Sequence, residues 1–215
     1  MANIYVHHRV TVAPRQWRAV ADALCAGGAA RLADAGGALY GVWRSQIGRP
    51  RDELTVVTHW PDGDGATAAD FLLRGVPDIA GCQSKAMTPT LRPERADPPR
   101  RQGNYAFRWF ETPAEHWPEF LDLCAAAWPG FETAYDSQVI GLWQILDGGE
   151  AVRRSLLMTR RPDLAMWERS KIFQGEKETQ VRRQLSRRYD LCDWTCVYTT
   201  TLLTAEDHDD SVRWT

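Results

Sequence analysis

Two strand-like segments of the sequence each set one side chain with chemistry to offer on an otherwise apolar face. In Val6-His7-His8-Arg9-Val10 it is His8, and in Ala106-Phe107-Arg108-Trp109-Phe110 it is Arg108. An imidazole titrates near pH ~6.5 and suits general acid or base work at neutral pH. A core histidine hydrogen-bonded to backbone would leave the same trace. A guanidinium on an interior strand is costly to bury alone, so it calls for a carboxylate or an anionic ligand. No acidic residue stands at a central strand position to pair with Arg108, which favours the ligand.

Alternation along a strand sets Val6, His8 and Val10 on one face and Tyr5, His7 and Arg9 on the other; the matching sets are Ala106-Arg108-Phe110 and Tyr105-Phe107-Trp109. The more apolar Tyr105-Phe107-Trp109 face is expected to pack against helices, which sends His8 and Arg108 into a barrel cavity. The reverse orientation lines that cavity with Tyr5, His7, Tyr105 and Trp109. His59 and Arg160 end two further strands, at the cavity mouth or exposed; His59 joins His8 and Arg108 as a catalytic candidate and Arg160 is a binding candidate. Trp43, Trp143, Trp60 and Phe110 are candidate ring walls for a substrate, though packing alone would also place a tryptophan there. Arg44, on the opposite face from Trp43, is a second anion-binding candidate or a solvated side chain. His116 and His208 receive no role.

Other chemistries lack their residues. There is no Gly-x-x-x-x-Gly-Lys-Ser/Thr loop, no Gly-x-Gly-x-x-Gly after a strand and no Gly-x-Ser-x-Gly elbow. No metal site is expected: His-x-x-x-His is absent, and adjacent His7 and His8 point apart on a strand. Cys25, Cys82, Cys124, Cys192 and Cys196 are odd in number and form no Cys-x-x-Cys, so they read as reduced thiols.

The elements that must hold these residues show a period. At an offset of 100, Tyr5 falls on Tyr105, Trp17 on Trp117, Leu39-Tyr40-Gly41-Val42-Trp43 on Val139-Ile140-Gly141-Leu142-Trp143; one residue later in register, Trp60-Pro61-Asp62 falls on Arg161-Pro162-Asp163. The pattern predicts a tandem duplication. Strands are expected over 3–12, 38–47, 53–60 and 85–91 with helices over 14–32 and from 70, then strands over 104–111, 137–146, 152–160 and 193–203 with helices over 114–133 and 163–186. Each half reads strand-helix-strand-strand-helix-strand, the ferredoxin-like order. The expected fold is α+β: tandem ferredoxin-like repeats packed sheet to sheet as an α+β barrel. Residues 1–92 form the first half, the Pro- and Arg-rich stretch 93–103 a linker, 104–204 the second half, and 205–215 an acidic tail.

Composition agrees with a globular chain: of 215 residues 44% are apolar and 25% charged, and the net charge of −2 argues against a nucleic-acid or membrane-surface partner. No apolar run is long enough to span a membrane, and the N-terminus has no signal-peptide core, so the expected location is cytoplasmic.

The opening strands Ile4-Tyr5-Val6-His7-His8-Arg9 and Tyr105-Ala106-Phe107-Arg108-Trp109-Phe110, with Gly41-Val42-Trp43-Arg44-Ser45-Gln46-Ile47-Gly48 and Val56-Val57-Thr58-His59-Trp60, resemble the NIPSNAP family across both halves. The resemblance implies the dimeric α+β barrel fold and a superfamily of cofactor-free monooxygenases, cyclases, isomerases, lyases and haem enzymes. It also implies an Arg in the first strand, kept as Arg108 and replaced by His8 in the first half. The reading that follows is a small-molecule enzyme acting on an aromatic or cyclic, anionic compound by proton transfer, of isomerase, cyclase, lyase or hydrolase type, without a bound cofactor. Two other readings stand beside it: a haem-binding barrel (axial ligand His7, His8 or His59) or cofactor-free monooxygenase, and a non-catalytic module whose free strand edges build a homo-oligomer.

Overall fold

The computed structural model describes residues 3–63, 65–147, 149–172 and 174–207. Residues 208–215 of the expected acidic tail, His208 among them, lie outside them. The chain divides into two compact units: Met1–Ser84 with Ala96–Gly103 and Thr200–Thr215, and Lys85–Arg95 with Asn104–Thr199.

In unit 1, β1 (Ile4–Val12) pairs antiparallel with β3 (Glu53–Trp60), and β3 with β2 (Ala38–Ile47); the start of β4 (Ile79–Arg92) lies beside β1, giving the order β4-β1-β3-β2. Strands β2 and β3 match their expected bounds residue for residue. The expected helix over 14–32 begins at Trp17 and runs as α1 (Trp17–Ala23), a π-helical stretch Leu24–Gly28, and α2 (Ala29–Asp34). Its paired glycines let another element approach: a Cβ on Gly28 would stand 3.2 Å from the carbonyl oxygen of Leu72, at the end of α3 (Ala68–Leu73). Strand β4 is longer than the expected 85–91 and ends in unit 2.

In unit 2, β5 (Asn104–Pro113) pairs with β7 (Val152–Arg161), β7 with β6 (Gln138–Ile145), and β8 (Trp194–Leu202) flanks β5, giving β8-β5-β7-β6. Both units thus have the same 4-1-3-2 strand order. Helix α4 (Trp117–Ala134) follows a short turn of 3₁₀ helix. The expected helix over 163–186 is two: α5 (Leu164–Arg169), capped by Asp163 accepting from the Met166 N–H at 2.7 Å, and α6 (Gly175–Asp190), which opens on Gly175 at φ 74°. A positive φ suits glycine and breaks the helix there.

The face assignment is reversed from the expected one. Phe110 meets Phe120 of α4 edge to face at 5.1 Å, and Phe110, Trp128, Phe131, Leu157 and Val181 share one core, so Ala106-Arg108-Phe110 faces the helices. Phe107, on the other face, stacks on Tyr198 at 5.2 Å. In unit 1, Val6 and Trp60 pack on the α3 side, where Trp60 meets Phe71, while Tyr5 meets Tyr40 and His59 on the far face. Both faces of these strands are buried, so apolarity could not tell them apart.

The Gly-x-Trp motif has a steric cause. In each unit the pairing of β2 or β6 slips just before the glycine, and the indole two residues on folds across it. A Cβ would stand 2.5 Å from the Trp43 ring at Gly41, and 2.4 Å from the Trp143 ring at Gly141. Gly141→Ala should therefore cost about 1–3 kcal/mol by overpacking. Gly81→Ala, where nothing lies within 4 Å of the added carbon, should not. Urea denaturation of the two variants checks this, and equal stability would remove the steric explanation.

Candidate anion-binding site

A cavity of about 310 Å³ opens inside unit 2, between the helix-facing side of its sheet and the helices above. The sheet supplies Ala106, Arg108 and Phe110 from β5, Leu157, Thr159 and Arg161 from β7, and Val139 from β6. Trp128 and Phe131 of α4, Trp167 of α5, and Arg182, Leu185, Ser186, Arg188 and Tyr189 of α6 close it, with Ser170 and Lys171 from the turn between α5 and α6.

Local chemistry builds this cover. Helix α6 has Glu176 and Glu178 in its first turn and Arg187 and Arg188 in its last, the arrangement its dipole favours. Arg169 of α5 grips Glu178 with two hydrogen bonds, at 2.7 and 3.1 Å, and the Gln174 N–H donates to the same carboxylate. Arg182 donates to the Ser170 carbonyl oxygen, tying α6 to that turn. Gly130 permits close approach of α4 and α6: a Cβ there would stand 2.6 Å from Val181.

Five cations line the cavity, Arg108, Arg161, Lys171, Arg182 and Arg188, and among the described residues no carboxylate does. Rings hold several of them. The Arg161 guanidinium lies 4.5 Å from the Trp167 ring centre and 5.1 Å from that of Phe131; Arg188 lies 4.9 Å from Phe110; Lys171 Nζ lies 4.6 Å from Trp167. Arg161 donates to Thr159 Oγ1 at 3.0 Å, and Arg188 to Cys124 Sγ at 3.6 Å. The Nε atoms of Arg161 and Arg188 are buried without a hydrogen-bond partner. Burial, and then the charges of Arg188 and Arg182, push Arg108 down to about 10; burial, and then Arg108 and Arg182, do the same to Arg161. Both remain cations at neutral pH. Partial withdrawal of its ammonium from water, reinforced by Arg108, Arg161 and Arg182, brings Lys171 down to about 8.

Of the residues expected from sequence, the cavity gathers Arg108 and Phe110. The others lie elsewhere. His8, in unit 1, has none of its surface exposed; Nδ1 is 2.8 Å from Ser84 Oγ and Nε2 3.0 Å from Thr58 Oγ1, which also accepts from Trp60 Nε1 at 3.0 Å. His59 packs on Tyr5, 3.4 Å from Asn3 Oδ1, and burial lowers its pKa. Trp43 and Trp143 are fully buried on the faces turned from the helices. Arg44 lies over the Trp17 ring of α1 at 3.7 Å, on the helix side of unit 1. Arg160 alternates with Arg161 and so leaves the cavity wall. Sequence reasoning missed Arg161, Lys171, Arg182 and Arg188. One signal was present: Arg182, Leu185, Ser186 and Tyr189 repeat at helical spacing and form one face. Among the described residues no cluster of His, Cys, Asp and Glu could hold a metal, and no helix is long and apolar enough to cross a membrane.

The α+β fold, antiparallel strands with helices packed on them, is shared with solved structures of low sequence identity. An anthrone oxidase-like protein matches with TM-score 0.59 at 14% identity, over 94% of this chain and 92% of that one. A heme-binding protein from Thermus thermophilus matches with TM-score 0.55 at 14% identity, over 94% and 91%. A variant chlorite dismutase from Candidatus Nitrospira defluvii matches with TM-score 0.58 at 7% identity, over 94% and 92%. At these identities the likeness establishes the fold. No protein-family model matches the sequence, and a comparison with curated proteins finds no match.

Burial holds the pKa of His8 near 3, well below its ordinary 6.5, so the folded protein keeps this imidazole neutral while the unfolded chain protonates it. Stability contributed by neutral His8 is present above pH 6.5 and is lost as pH falls from there toward 3. Denaturation at a series of pH values should show His8→Gln with an acid-side slope shallower than the parent's by up to one proton, ~1.4 kcal/mol per pH unit. Identical slopes would mean that His8 titrates normally in the folded state.

Proposed function

We propose that this protein binds a small anionic organic molecule carrying an aromatic or cyclic ring in the cavity of unit 2, and acts on it without a resident cofactor. The observation that carries the reading is Arg108. Its guanidinium makes no hydrogen bond or ion pair with the described residues, and among those residues it borders a space with four further cations and no carboxylate. Left alone such a charge is expensive, and a bound anion relieves it. Phe110, Trp128, Phe131 and Trp167 give the same space walls for a ring. The residues that resemble the NIPSNAP family support a member of that superfamily, and one structural relative is described as anthrone oxidase-like.

The chemistry these walls support is proton transfer. Arg108 would hold a carboxylate or enolate oxygen, and Lys171, at about 8, exchanges a proton near neutral pH. His8 takes a structural part in this reading, because both its ring nitrogens are already engaged inside unit 1. Haem does not fit this cavity: among the described residues no histidine, cysteine or methionine lines it, and Tyr189, the tyrosine they place on its wall, is 60% exposed.

Native mass spectrometry of freshly purified protein, with an absorption spectrum of the same sample, tests the reading. The expected result is a co-purifying organic acid that is lost in a folded Arg108→Ala variant. A Soret band, or a bound mass that Arg108→Ala retains, would contradict it.

A further inference from the structure

The five cations differ from an ordinary carboxylate site in number and in origin. Arg108 stands on β5, Arg161 on β7, Lys171 on the turn after α5, and Arg182 and Arg188 on α6, so positive charge converges from the floor and the cover alike. Arg161 and Arg188, only 6% and 8% exposed, are each pinned by one hydrogen bond and a ring face, and each keeps a buried Nε without a partner. Arg108 brings a whole guanidinium fork. These donors are in place before any ligand arrives, so they are oriented at no further cost on binding.

A single carboxylate carries one charge on two oxygens in one plane, and it would leave most of this repulsion uncompensated. A phosphate monoester carries about −1.5 to −2 at neutral pH on three oxygens that point in different directions. Two carboxylates on one ring carry a similar charge. Resting on the reading that the cavity is the ligand site, we infer that its ligand bears a doubly charged oxyanion head: a phosphate monoester or a pair of carboxylates on a small ring. Arg108, Arg161 and Arg188 grip that head, and Phe131, Trp128 and Trp167 meet the ring.

Isothermal titration of the full chain with phenyl phosphate, phthalate, phenyl sulfate and benzoate at fixed ionic strength tests the inference. Phenyl phosphate or phthalate should bind at least about tenfold tighter than the singly charged phenyl sulfate and benzoate, in line with added charge-assisted hydrogen bonds. Whichever dianion binds tighter identifies the source of the two charges. Arg182→Gln, at a half-buried helix position, should weaken the dianions by about tenfold and benzoate by much less. Benzoate binding as tightly as phenyl phosphate, with both lost in Arg108→Ala, would overturn the double charge and leave the site standing. No binding by any of the four, or binding that Arg108→Ala leaves unchanged, would overturn the site as well.

Discussion

Positive charge gathered around one cavity, with no carboxylate lining it among the described residues, is the constraint on which the account of unit 2 depends. Strand alternation puts Arg108 between Ala106 and Phe110 on the face that α4 and α6 cover. The surroundings then supply more cations in place of a counter-ion. Rings and single hydrogen bonds hold several of those cations, and burial, reinforced by repulsion among them, lowers the pKa of Arg108, Arg161 and Lys171. A fold can carry such an arrangement where the space between the charges serves something that enters it.

Unit 1 shows how the same positions look when closed. His8 stands where unit 2 has Arg108, Thr58 where it has Thr159, and Trp60 where it has Arg161. The inner hydrogen bond is common to both: Trp60 donates to Thr58 at 3.0 Å, as Arg161 does to Thr159. In unit 1 the neutral imidazole completes a chain from Ser84 through Thr58 to an indole that packs on Phe71. In unit 2 two guanidiniums replace the imidazole and the indole, and a cavity remains between them. The two differing side chains thus accompany, together with the longer helical cover of unit 2, the difference between a filled core and a cavity.

Much of the fold was legible in the sequence because its signals are local. Strands β2 and β3 are bounded by Gly36-Gly37, Pro50-Arg51-Asp52 and Pro61-Asp62, residues that break a strand wherever they fall, whereas the bulge at Gly-x-Trp showed only in the structure. The strand orientation was not legible, because Tyr105 and Phe107 are as buried on one face as Phe110 is on the other. Arg108 does stand on a strand without an acidic partner among the described residues, but on the side opposite to the expected one. Two of the remaining cations, Arg182 and Arg188, were hidden in a highly charged helix and look like solvated surface until α5 and the turn after it pack beside that helix. Which of many arginines turns inward is a property of packing, and a single sequence does not display it.

The claim at the centre is that ligand binds under α4 and α6, beside Arg108. Crystals soaked with para-bromophenyl phosphate and measured at the bromine absorption edge locate the ring directly. The account predicts an anomalous peak between Trp128, Phe131 and Trp167, with phosphate density on Arg108 and Arg161. A peak on the opposite face of the sheet, beside Tyr105 and Trp109, would contradict it.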